Sequence, residues 1–461
     1  MYNSSRIFEG ETMKVSKKSI DMLNGPLLAR LLVFTLPIAL SSIVQQLFNA
    51  SDTAIVGYFG NPNALAAVGT NSEIVALIVT LSSGLSVGVN IAVARKIGQK
   101  QAQNIPSLVQ TAIMLSLILG VSGLFIGQCA AGPLLRLIKT PSDIFVSAEE
   151  YLRIYLIGYP FLLLYDFASA VLRARGDSRY PFTVLLLSGA INVLLNLLFV
   201  IVFNLDVAGV AIATDVSTAV SAVLVTARLK KDSVFRLSFR KVKISREYIS
   251  EILKTGIPAA VQGAVFCFAN IFVQTAVNTF GSAAIAGSTV AVNFEYFVYY
   301  IITAFGQTAT TFTGQNYAAG QIKRCKKILW FCLAFSFIFS AVLCAVLISY
   351  RPFFIGLFSS KPAVIQNADL RMTCILLFEP ICCLYEIPAG FLRGTGRAVI
   401  PAASTVIGTC AFRIVWIYTV FRAHPSLEML YRAFPLSWIF TIILVLTGFI
   451  CVYKNRAFRR D

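Results

Sequence analysis

Long apolar runs dominate the chain, and they constrain its fold more than any other feature. Twelve runs come close to or exceed the roughly 20 residues that a helix needs to cross about 30 Å of hydrocarbon. Their approximate limits are 31–59, 64–94, 107–131, 147–172, 181–204, 207–228, 250–280, 283–313, 328–350, 363–392, 399–421 and 433–453. Lipid offers the backbone no hydrogen-bond partners, so each run is predicted to form a transmembrane helix. The fold class is therefore an all-α polytopic membrane protein with twelve spans.

The charged residues agree with this reading and orient the chain. Only 13% of the residues are charged, against 57% hydrophobic, whereas about 25% charged is usual in a soluble domain. Most Lys and Arg residues fall in alternate connections between the runs, including 95–100, 173–179, 228–246, 323–327 and 393–397. The positive-inside rule then predicts that both termini are cytoplasmic. The net charge of +18 is scattered over short loops, which argues against a nucleic-acid partner.

The residues give little support to other common classes of protein, namely secreted, disulfide-bonded, zinc-binding and enzymatic ones. The segment 1–26 contains no apolar stretch of the kind that marks a cleaved signal peptide. The ten cysteines form no CxxC pair, which predicts neither a disulfide framework nor a zinc site. The single histidine, His424, makes histidine-based acid–base chemistry a poor expectation. A membrane-embedded enzyme would need a nucleophile with its base or a metal cluster, and neither is visible.

The sequence contains an internal repeat. The segment YDFASAVLRARGDSRYP at 165–181 matches YEIPAGFLRGTGRAVIP at 385–401, with the tyrosine, the acid, the Leu-Arg pair and the closing proline in register. Six apolar runs lie in each copy, and an even number of spans returns the chain to the same side. The two six-helix bundles are therefore predicted to be parallel and related by a pseudo-two-fold axis along the membrane normal. Such a pair facing a central cleft suits a carrier that alternates its access.

The repeat divides the chain into five predicted segments. They are a cytoplasmic N-terminal segment (1–26), an N-lobe (27–228), a basic cytoplasmic linker (229–248), a C-lobe (249–453) and a cytoplasmic tail (454–461). The linker is interpreted as a solvated connection. A surface helix in contact with membrane lipids is the alternative.

Polar residues in the N-lobe runs suggest an ion site. A carboxylate such as Asp52 costs about 2.5–3.5 kcal/mol at membrane depth. Gln45, Asn49 and Asp52 stand at i, i+4 and i+7 and so share one helix face. The fifth and sixth runs add Asn192, Asn196, Thr214 and Asp215. Their oxygens are hard ligands suited to Na⁺, and a buried aspartate carries a proton equally well. Hydrogen bonding between helices is the structural alternative.

The C-lobe has its own polar residues, which are candidates for a substrate cavity or a gate. They are Gln262, Asn270, Gln274, Glu295, Glu386 and Arg413. Glu386 occupies the repeat position of Asp166, which favours a structural or gating role near a helix end. Arg413 is interpreted as a buried ion-pair partner for one of the glutamates. The aromatic stretch 294–300 either lines a cavity for flat organic cations or packs between helices.

Four motifs carry a family resemblance. They are LPIALSSIVQQLFNASDTAIVG in the first run, VAGVAIAT in the sixth, GIPAAVQG in the seventh and the twice-used LRxxG element. Together they resemble the multidrug and toxic compound extrusion (MATE) family over about residues 25–453. The second half, with Gln262 after IPAAV, resembles the DinF-related branch.

The resemblance implies antiport, in which H⁺ or Na⁺ enters while an amphipathic organic cation leaves. It further implies a cation site of Asp52, Asn192, Asn196 and Thr214, with possible support from Gln45, Asn49 and Asp215. Asn196 departs from the family, which often has a second carboxylate there, so the identity of the ion stays open. No cofactor is implied. The expected form is a functional monomer in a bacterial cytoplasmic membrane.

The alternative is a flippase for a lipid-linked oligosaccharide, since related families share the two-lobe architecture. A flippase should hold its pyrophosphate with basic residues inside the cavity. At membrane depth this chain is mainly acidic and amide, with Arg153, Arg371 and Arg413 as the exceptions.

Overall fold

A computed structural model describes residues 20–60, 62–138, 140–232, 235 and 244–454. Within these ranges the chain is helical and contains no strand, which confirms the predicted all-α class. Eleven helical stretches are long and apolar enough to cross a membrane, and one bent pair of helices supplies the twelfth. The N-terminal segment 1–19, linker residues 233, 234 and 236–243 and tail residues 455–461 lie outside the described residues. The five segment boundaries stay predictions.

Each lobe is a bundle of six spans. The N-lobe consists of α1 (Leu27–Phe59), α2 (Pro62–Gly98), α3 (Ile105–Leu137), α4 (Phe145–Ile157), α5 (Tyr159–Ala174), α6 (Arg179–Leu197) and α7 (Asp206–Lys230). The C-lobe consists of α8 (Arg246–Asn278), α9 (Ser282–Ala318), α10 (Ile322–Ser349), α11 (Arg351–Gly356), α12 (Pro362–Leu376), α13 (Cys383–Gly394), α14 (Val399–Thr405), α15 (Phe412–Trp416) and α16 (Leu427–Tyr453). The side of the bundle at which α1 begins is called the terminal side, and the opposite side the far side.

Two predicted spans are broken at equivalent positions of the repeat. Helices α4 and α5 meet at Gly158 with a bend of 43°. Helices α12 and α13 are separated by the 3₁₀ turn Glu379–Cys382. Pro160 and Pro380 stand just after the start of these breaks, at matching positions of the two copies. A proline lacks the N–H that an unbroken helix would use, so the regular hydrogen bonding of the helix is interrupted there. The apolar runs alone indicated continuous helices at 147–172 and 363–392.

Small residues let the two lobes approach closely along α2 and α8. A Cβ atom added to Gly84 would lie 2.4 Å from the Cα atom of Ala260. One added to Gly88 would lie 2.1 Å from the carbonyl oxygen of Ile252. Only glycine permits backbone contact of this kind between helices. Both contacts lie in the half of α2 nearer the terminal side.

A second line of contact joins α1 to α9, also toward the terminal side. The hydroxyl groups of Thr35 and Thr308 lie 2.8 Å apart, and the rings of Phe34 and Phe312 pack edge to face with centroids 5.4 Å apart. Before α1, the buried Met22 accepts a hydrogen bond from Asn316 of the C-lobe through its carbonyl group. The lobes are thus joined at the terminal side, whereas Gln45 and Asn49 in the far half of α1 are exposed.

Candidate functional site

Close packing of α1 on α6 builds the N-lobe site. A Cβ atom added to Gly189 of α6 would lie 1.7 Å from the ring of Phe48 in α1. The absence of a side chain at Gly189 therefore lets α1 lie directly against α6. One turn beyond this contact, Asp52 on α1 faces Asn192 and Asn196 on α6.

Four side chains from three helices form a hydrogen-bonded cluster. Asn196 donates from Nδ2 to Oδ1 of Asp52 at 2.5 Å and to Oδ1 of Asn192 at 3.3 Å. Asn192 in turn donates to the Thr214 hydroxyl at 3.3 Å, and that hydroxyl also lies beside the Asp52 carboxylate. Asn192 and Asn196 are 5% and 0% exposed. The cluster therefore brings together the four residues that the family resemblance implied.

One oxygen of this cluster has no partner. The Oδ1 atom of Asn196 is buried and accepts no hydrogen bond among the described residues. A buried acceptor without a partner costs about 1–3 kcal/mol. A cation or an added proton in the cluster would remove that cost, because either would give the oxygen something to bind. The arrangement is chemically able to exchange a small cation.

Asp215 occupies a different position from the other four residues. Its Oδ1 atom lies against Gly158, where an added Cβ atom would come within 2.0 Å of it. Gly158 immediately precedes α5, and a carboxylate is favourable at a helix N-terminus. Asp215, which lies on the neighbouring α7, thus stabilises the start of α5 at the break between α4 and α5.

Gln45 and Asn49 are not drawn into the cluster. Both side chains are exposed, and within the described residues neither has a hydrogen bond to the four clustered side chains. The common face predicted for Gln45, Asn49 and Asp52 is therefore divided: Asp52 is hydrogen-bonded to α6, and the other two side chains are exposed.

In the C-lobe, Glu295 is held by an arginine. Arg371 of α12 donates to both carboxylate oxygens of Glu295, at 2.7 and 2.9 Å, and to the Ser288 hydroxyl at 2.6 Å. The guanidinium group also lies between two rings, with its carbon 5.3 Å from the centroid of Tyr431 and 5.4 Å from that of Phe434. This network joins α9, α12 and α16 inside the lobe.

Arg413 does not form the ion pair that was expected of it. Among the described residues no carboxylate pairs with it; its Nε atom donates to the Ser437 hydroxyl at 3.1 Å. Its guanidinium carbon lies 4.0 Å from the centroid of the Phe434 ring, a short cation–π distance. Sequence patterns missed this arrangement because the arginine is stabilised by a ring face rather than by a charge.

Four C-lobe candidates remain. Two of them make side-chain contacts inside the lobe, and two lie on the far half of α8. Glu386 pairs with Arg393 at 3.0 Å, and Gln262 donates to Thr405 at 3.1 Å. Gln274 donates to Asn278 at 2.8 Å in an exposed position. Asn270 is half-buried on the same part of α8.

We expect Glu295→Ala to destabilise the C-lobe by about 3–5 kcal/mol, because it leaves the charge of Arg371 buried without its partner. The side chains of the two residues are only 12% and 6% exposed. The measurement is the apparent melting temperature of the purified protein in detergent. The matched control is Glu428→Ala, which breaks a pair with Arg432 in which both side chains are more than half exposed; it should cost about 0–1 kcal/mol. Equal losses in the two variants would contradict the prediction.

Glu73 on α2 was missed by the sequence reading. It lies inside the apolar run 64–94, and its side chain is exposed. The sequence did hold a signal for this residue. Glu73 precedes Thr80 by seven residues, and that spacing places both side chains on one face of α2.

Two parallel six-span lobes with a polar cluster at membrane depth define a multi-pass membrane carrier. The MatE family profile matches residues 37–198 and again residues 258–419, two stretches of equal length with one in each lobe. The chain belongs to this family, that of the multidrug and toxic compound extrusion transporters, which makes it a transporter rather than an enzyme. The doubled match also agrees with the repeat that the sequence contains.

Similar proteins agree with this assignment. "Probable multidrug resistance protein YpnP" of Bacillus subtilis (strain 168) is 27% identical over 82% of this chain and 85% of its own length. "Probable multidrug resistance protein NorM" of Thermotoga maritima is 26% identical, with 83% of each chain covered. A solved structure described as the outward-facing conformation of a multidrug resistance MATE family transporter superposes with a TM-score of 0.88. It is 21% identical and covers 97% of this chain and all of its own. The DinF-related branch stays a prediction.

Proposed function

We propose that this protein exports amphipathic organic cations from a bacterial cell in exchange for inward movement of H⁺ or Na⁺. The observation that carries the proposal is the cluster of Asp52, Asn192, Asn196 and Thr214, with its unpartnered amide oxygen. The names of its relatives support the export of drug-like compounds. The cytoplasmic membrane is the proposed location, with the terminal side facing the cytoplasm.

Ion exchange at Asp52 is the first step of the proposed mechanism. With Asp52 ionised, Asn196 turns its N–H group toward the carboxylate. When Asp52 is protonated or Na⁺ enters, a half-turn of the amide presents Oδ1 to the proton or the ion instead. The bound ion also removes a negative charge from the interlobe space. An exported cation is then attracted less strongly, which favours its release.

Alternating access is the second step. The lobes contact each other at the terminal side through Gly84 and Gly88 of α2 and through Thr35 of α1. Rocking about the middle of these helices would separate the terminal-side contacts and close the far side. Coupling requires that ion and substrate bind the two arrangements with different affinities. A bound ion that lowers the affinity for the cationic substrate in one of the two arrangements meets this requirement.

The arginine contacts argue against the flippase alternative. A pyrophosphate site needs guanidinium groups that are free to face the cavity. Arg371 is already bound by Glu295, Arg153 by Glu149, and Arg413 is 1% exposed. Each of these three arginines is thus engaged by residues of its own lobe.

The test is transport by purified protein in proteoliposomes loaded with a fluorescent organic cation. A Na⁺ gradient and a pH gradient are imposed separately, with a no-gradient control. Export driven by one gradient would support the proposal and identify the ion. Flipping of a lipid-linked oligosaccharide without cation export under either gradient would contradict it.

A further inference from the structure

We infer that Glu73, together with Tyr296 and Tyr300 on the opposite lobe, forms the site that holds the positive charge of the substrate. The inference rests on the proposed function and goes beyond it, because it places substrate recognition across the cleft from α9 and apart from the ion site. The chemical class of ligand is a bulky lipophilic organic cation.

The face of α2 that carries Glu73 is fixed by its contacts. Gly263 of α8 lies against the Thr80 methyl group, where an added Cβ atom would come within 2.2 Å, and Gly84 lies against Ala260. Glu73 precedes Thr80 by seven residues and Gly84 by eleven, so that it points in nearly the same direction two turns further toward the far side. Glu73 therefore faces the C-lobe about two turns beyond the contact of Thr80 with Gly263.

The facing wall of the C-lobe is aromatic. Tyr300 of α9 donates from its hydroxyl to Gln46 of α1 at 3.2 Å, which shows that this face of α9 is turned toward the N-lobe. Tyr296 lies one turn nearer the far side, and its ring stacks on that of Tyr300 with centroids 5.8 Å apart.

Glu73 lies at about the same depth as Tyr296. The Thr311 hydroxyl of α9 donates to Oδ1 of Asn90 in α2 at 2.9 Å, and the two helices run in the same direction. From this contact Glu73 and Tyr296 lie about 17 and 15 residues nearer the far side, so at about 1.5 Å per residue their depths agree within about 3 Å. Glu73 and the two rings therefore lie at the same level on the two sides of the cleft.

A second stacked pair joins α8 to α9 within the C-lobe. The rings of Phe266 and Tyr299 lie parallel, 3° apart in orientation, with centroids 6.3 Å apart. Asn270 and Gln274 lie on the same face of α8 as Gly263 and nearer the far side. The second pair therefore supports α9 from α8, and amide groups follow on α8 toward the far side.

The chemistry of these groups selects a cation. Within the described residues, Glu73 has neither a hydrogen bond nor an ion pair, so its charge is not already neutralised. Ring faces attract a cation by about 0.5–2 kcal/mol, with more gained as water is excluded. A carboxylate on one wall and two stacked tyrosines on the other would hold a bulky cation between them and repel an anion of the same shape.

The test is equilibrium binding of radiolabelled tetraphenylphosphonium to the purified full-length protein in detergent, a measurement that needs neither a gradient nor transport. Glu73→Gln should raise the Kd about tenfold, the change that corresponds to about 1.4 kcal/mol of lost attraction. Glu73→Asp should restore part of the affinity. Ser72→Ala, an exposed neighbour on α2 that points in another direction, is the matched control and should leave the Kd unchanged.

The outcomes separate this inference from the proposed function. An unchanged Kd in Glu73→Gln, or an equal loss in Ser72→Ala, would overturn the inference, as would wild-type protein that does not bind tetraphenylphosphonium. Gradient-driven export of another compound in proteoliposomes would leave the proposed function standing in each of these cases. Binding of the isosteric anion tetraphenylborate should improve in Glu73→Gln, a reversal that general misfolding would not produce.

Discussion

Asp52→Asn is expected to abolish gradient-driven export while leaving the protein folded and able to bind substrate. The substitution keeps the size of the side chain and a hydrogen bond with Asn196, but an amide takes up no proton and carries no charge to attract Na⁺. Because Asp52 is the only carboxylate in the four-residue cluster, no neighbour in that cluster can take its place. The measurement is export from proteoliposomes under whichever gradient drives the wild type.

Asp215→Asn is the matched control for this prediction. Asp215 lies on α7, one residue after Thr214, and its carboxylate faces the break at Gly158. We expect this variant to lose some thermal stability through the weaker helix cap, yet to retain coupled export. Tetraphenylphosphonium binding by Asp52→Asn confirms that the variant is folded. Full export by Asp52→Asn, together with loss of export in Asp215→Asn, would contradict the prediction. The ion site would then lie at Asp215 on α7.

The spans and the two lobes were predictable because they depend on local properties. Hydropathy reports the length of each apolar run, and the repeat at 165–181 and 385–401 reports that the bundle is duplicated. The breaks at Gly158 and at Glu379–Cys382 were not visible in hydropathy, which records the polarity of a run and not its backbone course. Pro160 and Pro380, at matching positions of the repeat, were the signal for both.

The site was predictable only in part, for a reason that concerns helix packing. Helical phase places Gln45, Asn49 and Asp52 on one side of α1 but does not say how a neighbouring helix divides that side. The division follows from the close contact of Phe48 with Gly189. Likewise, the partner of Glu295 could not be found by spacing, since Arg371 lies far along the chain on another helix.

The second large effect is expected from Gly88→Ala, which should weaken closure of the lobes at the terminal side. The new methyl group would lie 2.1 Å from the Ile252 carbonyl oxygen and 2.9 Å from the Gly256 nitrogen, both backbone atoms that cannot turn aside. Overpacking of this kind costs about 1–3 kcal/mol, and that cost falls only on the state in which α2 and α8 touch. The population of that state should drop about 5- to 150-fold relative to the separated state.

Alanine favours a helix over glycine by about 1 kcal/mol, so a loss in Gly88→Ala cannot arise from α2 itself and must come from the contact between the lobes. The control in the same helix is Gly69→Ala, where an added Cβ atom meets nothing within 4 Å. Spin labels at Lys230 and Lys323, exposed at the terminal ends of α7 and α10, report the separation of the lobes. Gly88→Ala should lengthen this distance and slow export at least tenfold, while Gly69→Ala changes neither. An unchanged distance with normal export would show that the terminal-side contact between α2 and α8 is not part of the transport cycle, and the rocking step would have to be placed elsewhere.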